Sequence, residues 1–281
     1  MVHDAIQLGT GPVSFGVDFA DAPENPPWTQ VLDGIAAAGY RWTELGPIGY
    51  LPDELTGELA ARGLGLTGGF VFEPLHDPAR HAETATIARA VAERIAAAGG
   101  RFLVVIDAVT PERARTAGRR AAARRLDRHG VAALRRIVRE IAAIAHGFGL
   151  RPVLHPHAGT YIEFDDEVER LLDWAELCLD TGHWLYAGQD PVRAYERWSD
   201  RIPYLHLKDL DRARRNGDFW GSVRAGAFRP LGDGDLDAPA LFAALERRGF
   251  AGWAIVEQDR VPGGDPVGDL VASRRYLERI G

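Results

Sequence analysis

The stretch Gly99-Gly100-Arg101-Phe102-Leu103-Val104-Val105-Ile106-Asp107 decides the fold. Its run from Phe102 to Ile106 has no polar residue and is rich in β-branched side chains. A short apolar run of this kind, bounded by glycine and a carboxylate, predicts a strand buried on both faces, as in a parallel sheet covered by helices. Residues 78–98, just before it, are Ala-rich with helical spacing, and the glycine pair stops that helix. A helix feeding directly into a doubly buried strand is half of a βαβ unit.

The same alternation continues in both directions. Strands are predicted over 40–45, 64–72, 101–106, 151–155, 177–180, 202–207 and 253–257, with a first strand and loop in 7–17. Helices are predicted over 28–38, 52–63, 78–98, 131–146, 165–174, 191–198, 239–248 and 267–280. Residues 211–234 are expected to be irregular. Eight strand–helix units in roughly 250 residues imply an α/β (β/α)8 barrel, here a single domain over residues 1–281. The competing open doubly wound sheet needs a glycine fingerprint after its first strand. Gly9-Thr10-Gly11 lacks the third glycine, and Pro12 interrupts any helix start there.

Composition narrows the function classes. The chain has 281 residues, 46% of them hydrophobic, with a net charge of −7. That acidity argues against a protein whose work is holding nucleic-acid phosphates. The arginine-dense run 113–128 is expected to be a solvated loop or helix face. Cys178 is the single cysteine and sits in an apolar run, so a buried inert thiol is expected. No signal-like or membrane-length apolar segment is visible, so a cytoplasmic protein with no membrane partner is expected. Trp28, Trp42 and Trp220 are candidates for core, lid or the interface of a homo-oligomer.

Chemistry collects at the predicted carboxyl ends of strands, where barrels of this type place reactive groups. Glu44, Glu73, Asp107, His155 with His157, Asp180 with His183, His206 with Lys208, and Glu257 all fall there. His155, Asp180, His206 and Glu257 come from four adjacent strands and make a mixed N/O donor set. Such a set suits one divalent ion, Mn²⁺ or Co²⁺ by preference and Fe²⁺ or Zn²⁺ as alternatives, better than Ca²⁺. His155 and His157 are two apart, so both point to one face of a strand, one to ligate and the other to orient or transfer protons. His183 is placed to support a ligand or a substrate hydroxyl. Glu44 reads either as a salt-bridge partner or as a site residue, and Glu73 as either solvated or functional. Lys208 is the only lysine among 33 basic residues. Keeping Lys where the chain otherwise writes Arg points to a compact ammonium, or to a group that gives up its proton when buried.

The segments Thr43-Glu44-Leu45-Gly46-Pro47, Leu154-His155-Pro156-His157-Ala158-Gly159-Thr160, Leu179-Asp180-Thr181-Gly182-His183, Leu205-His206-Leu207-Lys208-Asp209, Gly232-Asp233-Gly234 and Val256-Glu257-Gln258-Asp259 run nearly end to end. In this order they resemble the xylose-isomerase-like barrel superfamily of sugar isomerases, epimerases and cyclitol dehydratases, and within it the inosose dehydratase family. The resemblance implies a single metal at the barrel mouth, with ligands matching His155, Asp180, His206 and Glu257. It implies a small-molecule keto-cyclitol or keto-sugar substrate, which the lack of a phosphate loop suggests is unphosphorylated. Where the epimerases carry a strand-five Glu, this chain has His155, which favours elimination of water over two-base epimerisation. Glu163 departs from the dehydratase pattern and raises the expectation of an altered substrate. The expected reaction is a metal-assisted β-elimination through an enediolate. His157 or His183 handles the proton, Lys208 supplies charge, Glu44 assists, and residues 211–234 close over the substrate. The alternatives are an isomerase or epimerase, an abasic-site endonuclease, and a sugar-binding barrel without chemistry.

Overall fold

The computed structural model of the protein describes residues 5–261 and 263–280. Strands β1 (Gln7–Thr10), β2 (Trp42–Glu44), β3 (Gly65–Glu73), β4 (Phe102–Asp107), β5 (Arg151–Leu154), β6 (Glu176–Asp180) and β7 (Tyr204–Leu207) lie in the barrel wall. Two short strands follow, β8 (Asp209–Leu210) and β9 (Phe228–Arg229), before β10 (Trp253–Val256) completes the wall. The closed order is β1-β10-β7-β6-β5-β4-β3-β2, and the neighbours pair in parallel. The barrel expected from the alternating pattern is therefore the observed fold.

The run that predicts this fold is buried at every position of β4. Phe102, Val104 and Ile106 point into the barrel with Val153, Cys178, Tyr204 and Ile255. Leu103 and Val105 point outward into the helix layer. Period-two alternation thus serves two hydrophobic surfaces, which is why the strand shows no polar face. Cys178 lies inside the barrel, where burial pushes its thiol up to about 11, so it is an inert filler. The outer layer is typified by helix Arg128–Gly147. The Asp127 carboxylate caps it by accepting from the backbone N–H groups of His129 and Gly130. Leu134, Ile137, Val138 and Ile141 form its buried stripe. Each such residue contributes about 1.5–3 kcal/mol on burial.

Several local expectations are corrected. Only Asp165–Val168 of the stretch 165–174 is helical. Beyond it the chain turns irregularly, with Arg135 donating to the Arg170 carbonyl and Arg201 to the Leu172 carbonyl. The helix expected from Pro52 spans Leu55–Ala61. The irregular stretch 211–234 contains helix Phe219–Arg224, capped by Asp218, and strand β9, which pairs antiparallel with β8. A six-residue helix and a two-residue ladder are too short to leave a periodic signal.

The arginine run is not uniformly solvated. Arg113 is fully buried and donates to Glu163 at 3.0 Å, Glu167 at 2.9 Å and the Arg124 carbonyl at 2.7 Å. Its guanidinium lies over the rings of Tyr161 and Phe164. Glu163 also accepts from the backbone N–H groups of Gly118 and Gly159. It therefore ties the segment after β4 to the loop after β5 and does not line the cavity described below.

Trp42 closes the barrel floor, donating to Gln7 and standing edge-on to Trp253. Trp28 packs beneath Arg62, and Trp220 borders the cavity. No helix among the described residues is long and apolar enough to cross a membrane.

Candidate active site

Parallel strands deliver their last residues to one end of a barrel, and the polar strand ends meet there. The backbone N–H of His155 still donates to the Val105 carbonyl, and that of Glu257 to the Leu207 carbonyl, so both side chains sit one step past the wall on an extended ladder. They border a cavity of ≈ 60 Å³ that opens to solvent. Phe70, Phe72, Ile106 and Trp220 give it an apolar wall; His155, His157, His183, His206 and Glu257 give it a polar one.

Asp180 ends β6 and does two jobs. Its Oδ1 accepts from the His183 backbone N–H at 2.7 Å and caps helix Thr181–Tyr186. Its Oδ2 lies 3.3 Å from His155 Nε2, 3.3 Å from Lys208 Nζ and 3.8 Å from His206 Nδ1. His206 Nδ1 is in turn 2.9 Å from Glu257 Oε2. Asp180 Oδ2 and His206 Nδ1 are buried without a hydrogen-bond partner. His155, Asp180, His206 and Glu257 are thus linked pairwise, with Asp180 Oδ2 and His206 Nδ1 at the centre of the chain of contacts.

Glu44 lies below the cavity. Its Oε1 accepts from Tyr204 Oη at 2.9 Å and faces His206 Nε2 at 3.1 Å. Carboxylates thus face both ring nitrogens, Glu44 at Nε2 and Glu257 at Nδ1, and against burial they help to hold the His206 pKa well above its ordinary value. Glu44 therefore positions His206 and does not itself border the cavity.

Lys208 is fully buried. Its Nζ lies 2.7 Å from Glu257 Oε1, 2.5 Å from Asp259 Oδ1 and 3.3 Å from Asp180 Oδ2. Burial works against the ammonium, but these carboxylates outweigh it and hold the pKa well above the ordinary lysine value. The reading of Lys208 as a group that gives up its proton is set aside; the compact ammonium remains. The sequence builds a slot for it. Thr181 Oγ1 accepts from the Lys208 backbone N–H and donates to the Lys208 carbonyl. A Cβ on Gly182 would meet Lys208 Cγ at 2.6 Å, so only glycine leaves room for the stem.

His157 Nδ1 donates to the Ala158 carbonyl at 2.8 Å, which leaves Nε2 as an acceptor. Burial, with His155 and Lys208 nearby, pushes its pKa down to about 3. The His183 ring centroid is 3.7 Å from that of His157, and His183 Nε2 accepts from Lys208 at 3.2 Å. Burial and its cationic neighbours hold His183 well below its usual range. Both imidazoles are neutral at neutral pH; His157 Nε2 is open to accept a proton, whereas His183 Nε2 is already taken by Lys208. Ligating atoms of His157, His183 and Asp259 also cluster, but Lys208 already occupies the cationic position beside them.

All eight residues singled out for the site converge on this end of the barrel: His155, His157, His183, His206 and Glu257 at the cavity, Asp180, Lys208 and Glu44 beneath it. Glu73 and Asp107 do not border it. Asp107 instead holds His76 and accepts from the Tyr161 backbone N–H. Asp209, in the His-Leu-Lys-Asp segment, accepts from the backbone N–H groups of Leu210, Gly232, Gly234 and Leu236 and pins the loop after β9. Sequence reading missed Asp18 and Asp259, both at the cavity. Asp259 lies two residues beyond Glu257, a signal that was available; Asp18 sits in an aperiodic loop and offered none.

A closed parallel barrel with a histidine- and carboxylate-lined mouth defines the class, and the family model agrees. The chain belongs to the xylose isomerase-like TIM barrel family, whose model matches residues 32–280. It is 31% identical over 290 residues to an inosose dehydratase of Geobacillus kaustophilus (strain HTA426), covering 98% of this chain and 94% of that one. Among solved structures it resembles D-allulose 3-epimerase from Methylomonas sp. in complex with D-allulose, with a TM-score of 0.75, 18% identity and coverage of 98% and 97%. It also resembles the IOLI protein with a bound zinc atom, with a TM-score of 0.74, 16% identity and coverage of 98% of each chain.

Proposed function

We propose that the protein is a metal-dependent dehydratase that removes water from a keto-cyclitol or a related keto-sugar. The observation that carries this reading is the convergence of His155 Nε2, Asp180 Oδ2, His206 Nδ1 and Glu257 Oε2, two of these atoms buried without a hydrogen-bond partner. These residues would hold one divalent ion, Mn²⁺ or Co²⁺ by preference, and the donor set fits it. When bound, such an ion supplies Lewis acidity toward a carbonyl oxygen and its enediolate. His157 Nε2, neutral and uncommitted, takes the proton from the carbon beside the carbonyl. Lys208 offsets the charge of Asp180, Glu257 and Asp259 and keeps the carboxylates at fixed separations. Phe72, Phe219 and Trp220 exclude water from the apolar side. The zinc-bound structural neighbour and the dehydratase relative support this reading.

The test is turnover of keto-inositols by protein loaded with Mn²⁺ or Co²⁺, following enedione absorbance and solvent deuterium wash-in. Loss of water is expected. Deuterium incorporation without loss of water would assign the site to an isomerase or epimerase instead.

Glu44 provides a separate check. Glu44→Gln keeps the side-chain shape and weakens the hold on His206 Nε2. Metal affinity is expected to fall by about 10–100-fold, as for other residues that orient a ligating imidazole. Competition with a chelator measures it; unchanged affinity would detach Glu44 from the centre.

A further inference from the structure

Elimination of water needs a proton for the departing oxygen as well as a base for carbon. His157 spends its one N–H on the Ala158 carbonyl and serves as the base toward carbon, and His183 Nε2 is already taken by Lys208. Of the carboxyl groups bordering the cavity, Glu257 and Asp259 are each bound to Lys208. Asp18 is the remaining one, largely buried, with no hydrogen bond or ion pair to any described residue. Its position is firmly set. The turn Pro12–Phe15 ends at Gly16, whose φ of 82° lies in the left-handed region. Phe15 and Val17 on either side are buried in the core. This anchoring directs Asp18 to the cavity from the β1 side, beside Glu257 on the neighbouring β10. His157 follows β5, which lies four places from β1 around the barrel, on the opposite side.

We propose that Asp18 is the general acid that protonates the departing hydroxyl. The role rests on the dehydratase reading. His157 Nε2 takes the proton from the carbon beside the carbonyl, and the electrons of that C–H bond form the enediolate. Those electrons then form the new C=C bond as the C–O bond to the β-hydroxyl breaks. The Asp18 O–H bond breaks, its proton joins the leaving oxygen, and water departs. The products are the unsaturated ketone, water, an Asp18 carboxylate and a His157 imidazolium, which exchange a proton through solvent to restore the start. Burial, opposed by Lys208 and reinforced by Glu257, raises the Asp18 pKa to about 6, close to working pH for a general acid. Those two charges face it, and Asp259, His183 and His206 share the cavity.

The experiment compares wild type and Asp18→Asn, both metal-loaded, on a keto-inositol in D2O. Asn keeps the shape and breaks no ion pair, so the variant is expected to fold with an unchanged or raised Tm. Water loss is expected to fall about 10²–10⁴-fold, while C–H exchange stays within a few-fold. In wild type, kcat/KM is expected to fall as pH rises through about 6, and that limb should vanish in the variant. Elimination by Asp18→Asn at the wild-type rate, or equal loss of exchange and elimination, would overturn the assignment while leaving the dehydratase reading intact. Wild-type protein that exchanges but never eliminates would overturn that reading first, and the acid role with it.

Discussion

Asp180→Asn is expected to leave the protein folded and nearly inactive. Asparagine retains an oxygen for the Oδ1 position, so the cap on helix Thr181–Tyr186 survives. What disappears is the negative charge at Oδ2, the atom nearest to His155, His206 and Lys208 together. Bound metal should drop to a small fraction of wild type. The rate should fall on the order of 10³-fold, since Lewis-acid stabilisation of a developing oxyanion amounts to several kcal/mol. Elemental analysis and kcat/KM on the same preparation check both parts. A variant that keeps its metal and its rate would show that the clustered donors hold no ion that matters.

Arg113→Ala is expected to have the largest effect on stability. The substitution strands the buried Glu163 without a guanidinium and leaves the buried Glu167 with Arg125 alone. Removing one partner of a buried ion pair costs roughly 3–5 kcal/mol. Glu163 and Glu167 also accept backbone N–H groups from Gly118, Gly159, Glu163 and Phe164, so these carboxylates hold two loops as well as a charge. For that reason a volume-matched apolar triple replacement at Arg113, Glu163 and Glu167 should not restore stability, because those N–H groups would lose their acceptors. Urea unfolding of the single and triple variants measures this; a single variant within 1 kcal/mol of wild type, on the scale of a surface pair, would refute the structural role assigned to Arg113.

These two residues also mark how far the sequence could be read. Asp180 was legible because the apolar run before it predicts a strand, and a carboxylate at the end of a parallel barrel strand has one place to go. The same reasoning located His155 and Glu257, each one residue past the strand it follows, and His206, one residue before the end of β7. Arg113 was hidden among exposed arginines such as Arg119 and Arg124, and its acidic partners lie 50 and 54 positions away, Glu163 in a loop and Glu167 in the short helix Asp165–Val168. No local pattern distinguishes a buried member of such a run. Asp18 was hidden for a related reason, since its position depends on the turn ending at Gly16 and not on any period.

The sealed ammonium has a practical consequence. A protease that cuts after lysine has a single target bond in this sequence, between Lys208 and Asp209, both fully buried. The folded chain should resist it, and any scission into two fragments would report transient opening at the barrel mouth. Added cation should slow that cleavage in proportion to its grip, giving a titration that needs neither substrate nor turnover.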